Sequence, residues 1–196
     1  MRRDIKNKKM NSTQLWILSC QVCQWWNAVF VQADRFFDAL ERNHGGTPWD
    51  NGNANSMFVA DRMFLIVALY HAIENLEKLD VECQRAGDNS FKPILQAIEV
   101  VAPLADIKNL RDMNEHNLDY LVEMGQKQSE FRTAISKKGS EVLTTAAWTH
   151  IDHDAKSIFI GNVEIDKLIA AMKQQLPVVQ AKTKAQFDHE LLGEQN

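Results

Sequence analysis

The sequence predicts an all-α, up-and-down helical bundle with one small β-hairpin, and three observations lead there. Only four prolines and eight glycines punctuate 196 residues, so long stretches run without a breaker. The chain is 45% hydrophobic, enough to bury one core in a single domain, and its apolar residues recur at helical rather than alternating spacing. Only residues 147–160 depart from that pattern, with the β-favouring runs Ala147–Ile151 and Ser157–Ile160.

Residues 1–12 form a basic tail with Arg2, Arg3, Lys6, Lys8 and Lys9, either a solvated, disordered terminus or a binding arm. A single helical domain is expected over 13–180, and a polar tail over 181–196. Ser12 or Thr13 caps the first helix, which runs to about Asn43. Its apolar positions cover more than one face and include Trp16, Trp25 and Trp26. Such a helix is either central in the bundle or also buried by a second subunit. Within it, Cys20 and Cys23 have the spacing of half a metal or redox pair, but no second pair exists, and they read as small buried packing residues.

Residues 43–56, dense in glycine and asparagine, read as a loop, and Ser56 caps a second long helix over 57–85. Glu41 and His44 have the spacing of a carboxylate-bridged metal motif, yet the second copy that such bundles need is missing. The centre of the second helix, Met63–Tyr70, is apolar all round and marks the core helix. His71 and Glu74, one turn apart, can pair, with His71 a satisfied core histidine. Gly87–Ser90 breaks the chain before a short helix over 91–101. Residues 126–140, with Lys127, Arg132, Lys137 and Lys138 against Glu130, read as a solvated connection. His150, Asp152, His153 and Asp154 alternate faces on the predicted hairpin and form a polar tip rather than a metal site. A last helix over 165–176 is ended or kinked by Pro177.

The formal charge of −4 gives no global attraction for nucleic acid or an anionic membrane, so any such contact needs a local basic patch. The longest apolar run falls well short of the roughly 20 residues a membrane span requires. The sequence therefore reads as a soluble cytoplasmic protein. Three cysteines, an odd count, argue for reduced thiols over a disulfide framework. There is no phosphate-binding glycine loop, no nucleophile elbow and no zinc-type cysteine set, and nothing calls for a cofactor or a metal.

One helix combines an apolar seam with polar residues inside it. Pro103 opens it and Gly125 closes it. At about 100° per residue, Leu104, Ile107, Leu110, Leu118, Leu121 and Val122 fall on one side, and Arg111 and Asn114 lie in the same stripe. A cation and an amide on a buried seam are costly unless paired, so the seam either has partners for them or walls a cleft. Glu115, four residues after Arg111, can hold the guanidinium, and Asp112, four before His116, can orient the imidazole. Arg111 and His116 themselves stand about 140° apart and roughly 7.5 Å along the axis. One helix would not aim both at one atom, whereas two copies across a symmetric interface could bring two arginines and two histidines to one cleft.

The segment Leu110-Arg-Asp-Met-Asn-Glu-His116 resembles the Arg-x4-6-His motif of the HEPN superfamily, which lies late in a compact helical bundle on a helix continued by acidic and aromatic residues, as Asp119 and Tyr120 are here. The order of helices over residues 13–176 is similar, while the specific likeness is confined to about seven residues. The resemblance implies a homodimer with the motif at its interface and a metal-independent endoribonuclease. Arg111 would then bind the scissile phosphate, His116 would act as general acid or base, and the 2′-hydroxyl of RNA would be the nucleophile. Asp112 would position the pair, with Asn114 and Glu115 supporting. Many members are toxins of toxin–antitoxin or phage-defence systems, paired with a small nucleotidyltransferase as antitoxin. Others are non-catalytic modules that dimerise or bind a protein or nucleotide, and that alternative stays open beside a purely structural, salt-bridged polar layer.

Overall fold

The computed structural model describes residues 9–42, 52–116, 124, 133–137, 140–144, 149–152 and 156–193. Five helices are found among them: α1 (Ser12–Arg42), α2 (Gly52–Arg85), α3 (Lys92–Glu99), α4 (Leu104–Glu115) and α5 (Ile165–Gly193). They form the all-α bundle that helical spacing predicts. Most of the basic tail, residues 43–51 of the predicted loop over 43–56, and residues 117–123 and Gly125 of the predicted motif helix lie outside the described residues.

α1 is the middle of the assembly, packed along its length against α2 on one side and α5 on the other. Leu18, Val22, Trp26, Val29, Ala33 and Phe36 recur at three- and four-residue steps and are buried. The buried Trp26 donates its indole N–H to the Met172 carbonyl of α5 at 3.3 Å. Two packed flanks within one chain account for the breadth of apolar surface on α1, so its tryptophans do not require a second subunit. The helix start is shifted from the predicted cap. Asn11 and Gln14, rather than Ser12 or Thr13, form a reciprocal capping box: the Gln14 amide donates to Asn11 Oδ1 at 2.9 Å and the Asn11 amide to Gln14 Oε1 at 3.1 Å.

α2 begins five residues before its predicted start and takes Ser56 inside it. Its core face carries Leu65, Ile66, Leu69, Ile73 and Leu76, all fully buried. Met57, Met63 and Phe64 point outward with 52%, 41% and 57% of their surface exposed, so the predicted core run is buried on one side only. Arg35 of α1 reaches the buried carboxylate of Asp61 at 2.9 Å and tethers the two helices. The end of α2 is a Schellman closure: the Gly87 amide donates to the Gln84 carbonyl and the Asp88 amide to the Cys83 carbonyl, both at 2.9 Å. Gly87 adopts φ +84°, where a side chain would be strained.

The predicted hairpin is present as β3 (Thr149–Asp152) and β4 (Ser157–Ile160), joined by a short β5 (Val163–Glu164) in an antiparallel meander. It seats on the start of α5. The Ile158 amide donates to Asp166 Oδ1 at 3.1 Å, the Ser157 hydroxyl contacts Glu164, and Ile160 and Val163 enter the core. A second hairpin, β1 (Thr133–Lys137) with β2 (Ser140–Thr144), occupies part of the stretch that composition marks as a solvated connection. Its strands pair antiparallel from Thr133 opposite Thr144 to Lys137 opposite Ser140. The polar tail predicted from 181 is also different: α5 continues through Pro177 to Gly193. Buried Val179 and Thr183 lie on α1 beyond the proline, and the Thr183 hydroxyl meets Cys23 Sγ at 2.8 Å. Packing there outweighs one missing backbone hydrogen bond.

Candidate functional site

α4 lies along the flank of α2 opposite α1. Ile107, Leu110 and Met113 are fully buried beneath it, and Lys108 pairs with Glu77. This buried line is turned by about 70° from the predicted seam, because Met113, which that seam left out, is fully buried while Leu104 is only half-buried. The turn moves Arg111 to the edge of the buried line, whereas Asn114 stays within it, half-buried in the last turn of the helix. The predicted burial of a cation is thereby avoided, and the guanidinium has partners as well.

Arg111 donates from Nε to Glu115 Oε1 at 2.9 Å, with Nη2 at 2.7 Å from the same oxygen. Its Cζ stands 4.5 Å from the centre of the Tyr70 ring on α2, a cation–π contact. Partial desolvation lowers the Arg111 pKa, but the hydrogen bond and charge of Glu115 and the Tyr70 hydroxyl raise it further, for a net rise. This is a cation fixed in place with 35% of its side chain exposed. His116 is the C-cap residue of α4, its backbone at φ −107° and ψ 31°, and 58% of its side chain is exposed. Its Nε2 stands 4.0 Å from Asp112 Oδ1, an ion-pair distance once the imidazole is protonated. The predicted i,i+4 partnerships of Arg111 with Glu115 and His116 with Asp112 are both present. They face different ways, Arg111 onto α2 and His116 at the open helix end.

Spacing alone missed the other half of this surface. His71 stacks on Trp25 of α1 with ring centres 4.5 Å apart and planes 28° apart. It meets the edge of Tyr70 at 5.1 Å, and its Nδ1 is 3.8 Å from Glu74. The predicted pairing with Glu74 holds, but His71 is at the surface and not in the core, 34% exposed. Partial burial raises the Glu74 pKa, yet Lys78, bonded at 3.0 Å, together with the Tyr70 hydroxyl and His71 brings it below its ordinary value. Trp25, His71, Tyr70 and Arg111 thus form one ladder of rings and cation across α1, α2 and α4. The recurrence of Tyr70, Glu74 and Glu77 on the outer face of α2 was a sequence signal for it; the approach of Trp25 had none.

Cys20 and Cys23 are half-buried rather than buried, and with Ser19, Thr183 and Lys184 they line a groove of about 270 Å³ between α1 and α5. Among the described residues no three His, Cys, Asp or Glu side chains gather as metal ligands would, and no helix is long and apolar enough to cross a membrane. His44, His153 and Asp154 lie outside the described residues. No family model matches the chain, and no curated protein or solved structure is similar to it.

Proposed function

We propose that the chain is a HEPN-like, metal-independent endoribonuclease that acts as a homodimer through Arg111 and His116. The observation that carries this reading is a guanidinium held charged and half-exposed by Glu115 and Tyr70, followed on the same helix by an exposed histidine paired to a carboxylate. A fixed guanidinium suits the charge that develops on phosphate oxygens. In the reaction the 2′-oxygen attacks phosphorus as its proton passes to an imidazole. The bond from phosphorus to the 5′-oxygen breaks, and that oxygen takes up a proton, leaving a 2′,3′-cyclic phosphate and a free 5′-hydroxyl. Because Arg111 and His116 of one chain diverge, the phosphate is met by Arg111 of one copy and His116 of the other. Asp112 orients the imidazole, Glu115 the guanidinium, and Asn114 borders the cleft. The same reading makes the protein a toxin whose antitoxin is a small nucleotidyltransferase.

A second reading, a non-catalytic module that dimerises or binds a protein or nucleotide, is favoured by one observation: Glu115 already neutralises Arg111 in a chain of net charge −4. Cleavage separates the two. Structured RNA incubated with the wild type and a chelator should yield cyclic-phosphate ends, and His116→Ala should lower the rate by about 10²–10⁴-fold, the usual worth of a general acid or base. Equal cleavage by both proteins, or none by the wild type, overturns the catalytic reading.

A further inference from the structure

We propose that the ladder Trp25–His71–Tyr70–Arg111 is a nucleotide-binding platform: a base of single-stranded RNA stacks on the open face of His71, and the adjoining phosphate lies on Arg111. This deepens the proposed function, on which its choice of RNA rests. Trp25 covers one face of His71, at 4.5 Å and with planes 28° apart, and 34% of the His71 side chain stays exposed. An imidazole backed by an indole is a rigid, flat surface of the kind unpaired bases stack on. Tyr70 lies next to both, its ring centre 5.1 Å from that of His71 and 4.5 Å from Arg111 Cζ, so the guanidinium stands one ring away from the imidazole.

The local charges leave room for an anion. Lys78 neutralises Glu74 and Lys108 pairs with Glu77, so neither carboxylate stands uncompensated beside the ladder. Glu115 engages Nε and Nη2 of Arg111 through one oxygen, and 35% of the Arg111 side chain stays exposed to an incoming phosphate. Three helices contribute, so the surface exists only in the folded bundle. It also gives His71 a role distinct from that of His116: one holds the substrate by its ring, the other moves a proton.

The test uses the full chain and a single-stranded 2′-O-methyl RNA hexamer, which cannot be cut because its 2′-oxygens cannot attack. Affinity is read by fluorescence anisotropy. Since stacking is worth about 1–3 kcal/mol per base, His71→Gln, which removes the ring, should weaken binding by about tenfold or more. His71→Phe restores a flat face and should stay within about threefold of wild type, a rescue that neither a charge nor a proton-transfer role would show. Arg111→Ala should weaken binding and flatten its dependence on salt. Wild-type affinity in His71→Gln, or the same loss in His71→Phe as in His71→Gln, overturns the platform, and a wild type that does not bind the hexamer overturns it outright. Binding through His71 without cleavage of ordinary RNA keeps the platform and removes the nuclease.

Discussion

Cys83 shows how a single side chain in this fold carries a measurable signature. It is 3% exposed on α2, and burial, with the carboxylates of Asp88, Asp80 and Glu82 nearby, pushes its thiol from 9.0 up to about 11. Below pH 9 the thiol is protonated in both folded and unfolded chains and adds no pH dependence. Between 9 and about 11 the unfolded chain sheds its proton while the folded one retains it, so stability must fall as pH rises through that window. Denaturant unfolding in reductant at several pH values should show a steeper alkaline loss for the wild type than for Cys83→Ala, and parallel curves would contradict the raised pKa. Residues whose partners lie within one turn were the legible ones in the sequence. Arg111 with Glu115 and His116 with Asp112 follow from four-residue spacing, whereas the stacking of Trp25 on His71 joins positions 46 residues apart and has no local signature.

At the scale of elements, period was legible and endings were not. The core faces of α1 and α2 follow from their apolar repeat, but α4 stops at Glu115, short of Leu118, Leu121 and Val122, and the predicted seam left out the buried Met113. Net charge hid β1 and β2: Lys137 and the polar residues around it read as solvent-facing connection, while Ile135 opposite Val142 is the cross-strand pair that marks a hairpin. α5 ran past its predicted stop because Val179 and Thr183 bury against α1. Pro177 then sits exposed inside a helix, with no N–H to offer the Lys173 carbonyl. A proline in a helix interior costs about 3 kcal/mol relative to alanine. Pro177→Ala should therefore raise the midpoint of thermal unfolding, by about 1–3 kcal/mol in stability. A lowered midpoint would instead mean that the proline-shaped path is what brings Thr183 to Cys23.

For the whole molecule the question is where a second copy would lie, since Arg111 and His116 diverge within one chain. Trp26 of α1 is buried and bonded to α5, and Trp25 stacks on His71 of α2, so these two tryptophans have partners within one chain. The outer face of α2 is the alternative. Met57, Met63 and Phe64 are exposed within about two turns of one helix, and Phe64 precedes His71 by seven residues, about 10 Å along the axis. Burying this strip against its own copy would remove apolar surface from water, which makes it the face on which the proposed dimer is tested. The chain should therefore sediment as a dimer at micromolar concentration. Phe64→Glu places a charge on the most exposed side chain of the strip; loss of an aromatic anchor is worth about 2 kcal/mol or more, so dimer dissociation should rise by at least about thirtyfold. Phe64 is more than half exposed in the single chain, so its helical signal and unfolding midpoint in the monomer should be little changed, and RNA cleavage should fall in proportion to the lost dimer. A wild type that stays monomeric, or a Phe64→Glu protein that sediments as the wild type does, would rule out this face and with it the two-copy cleft built on it.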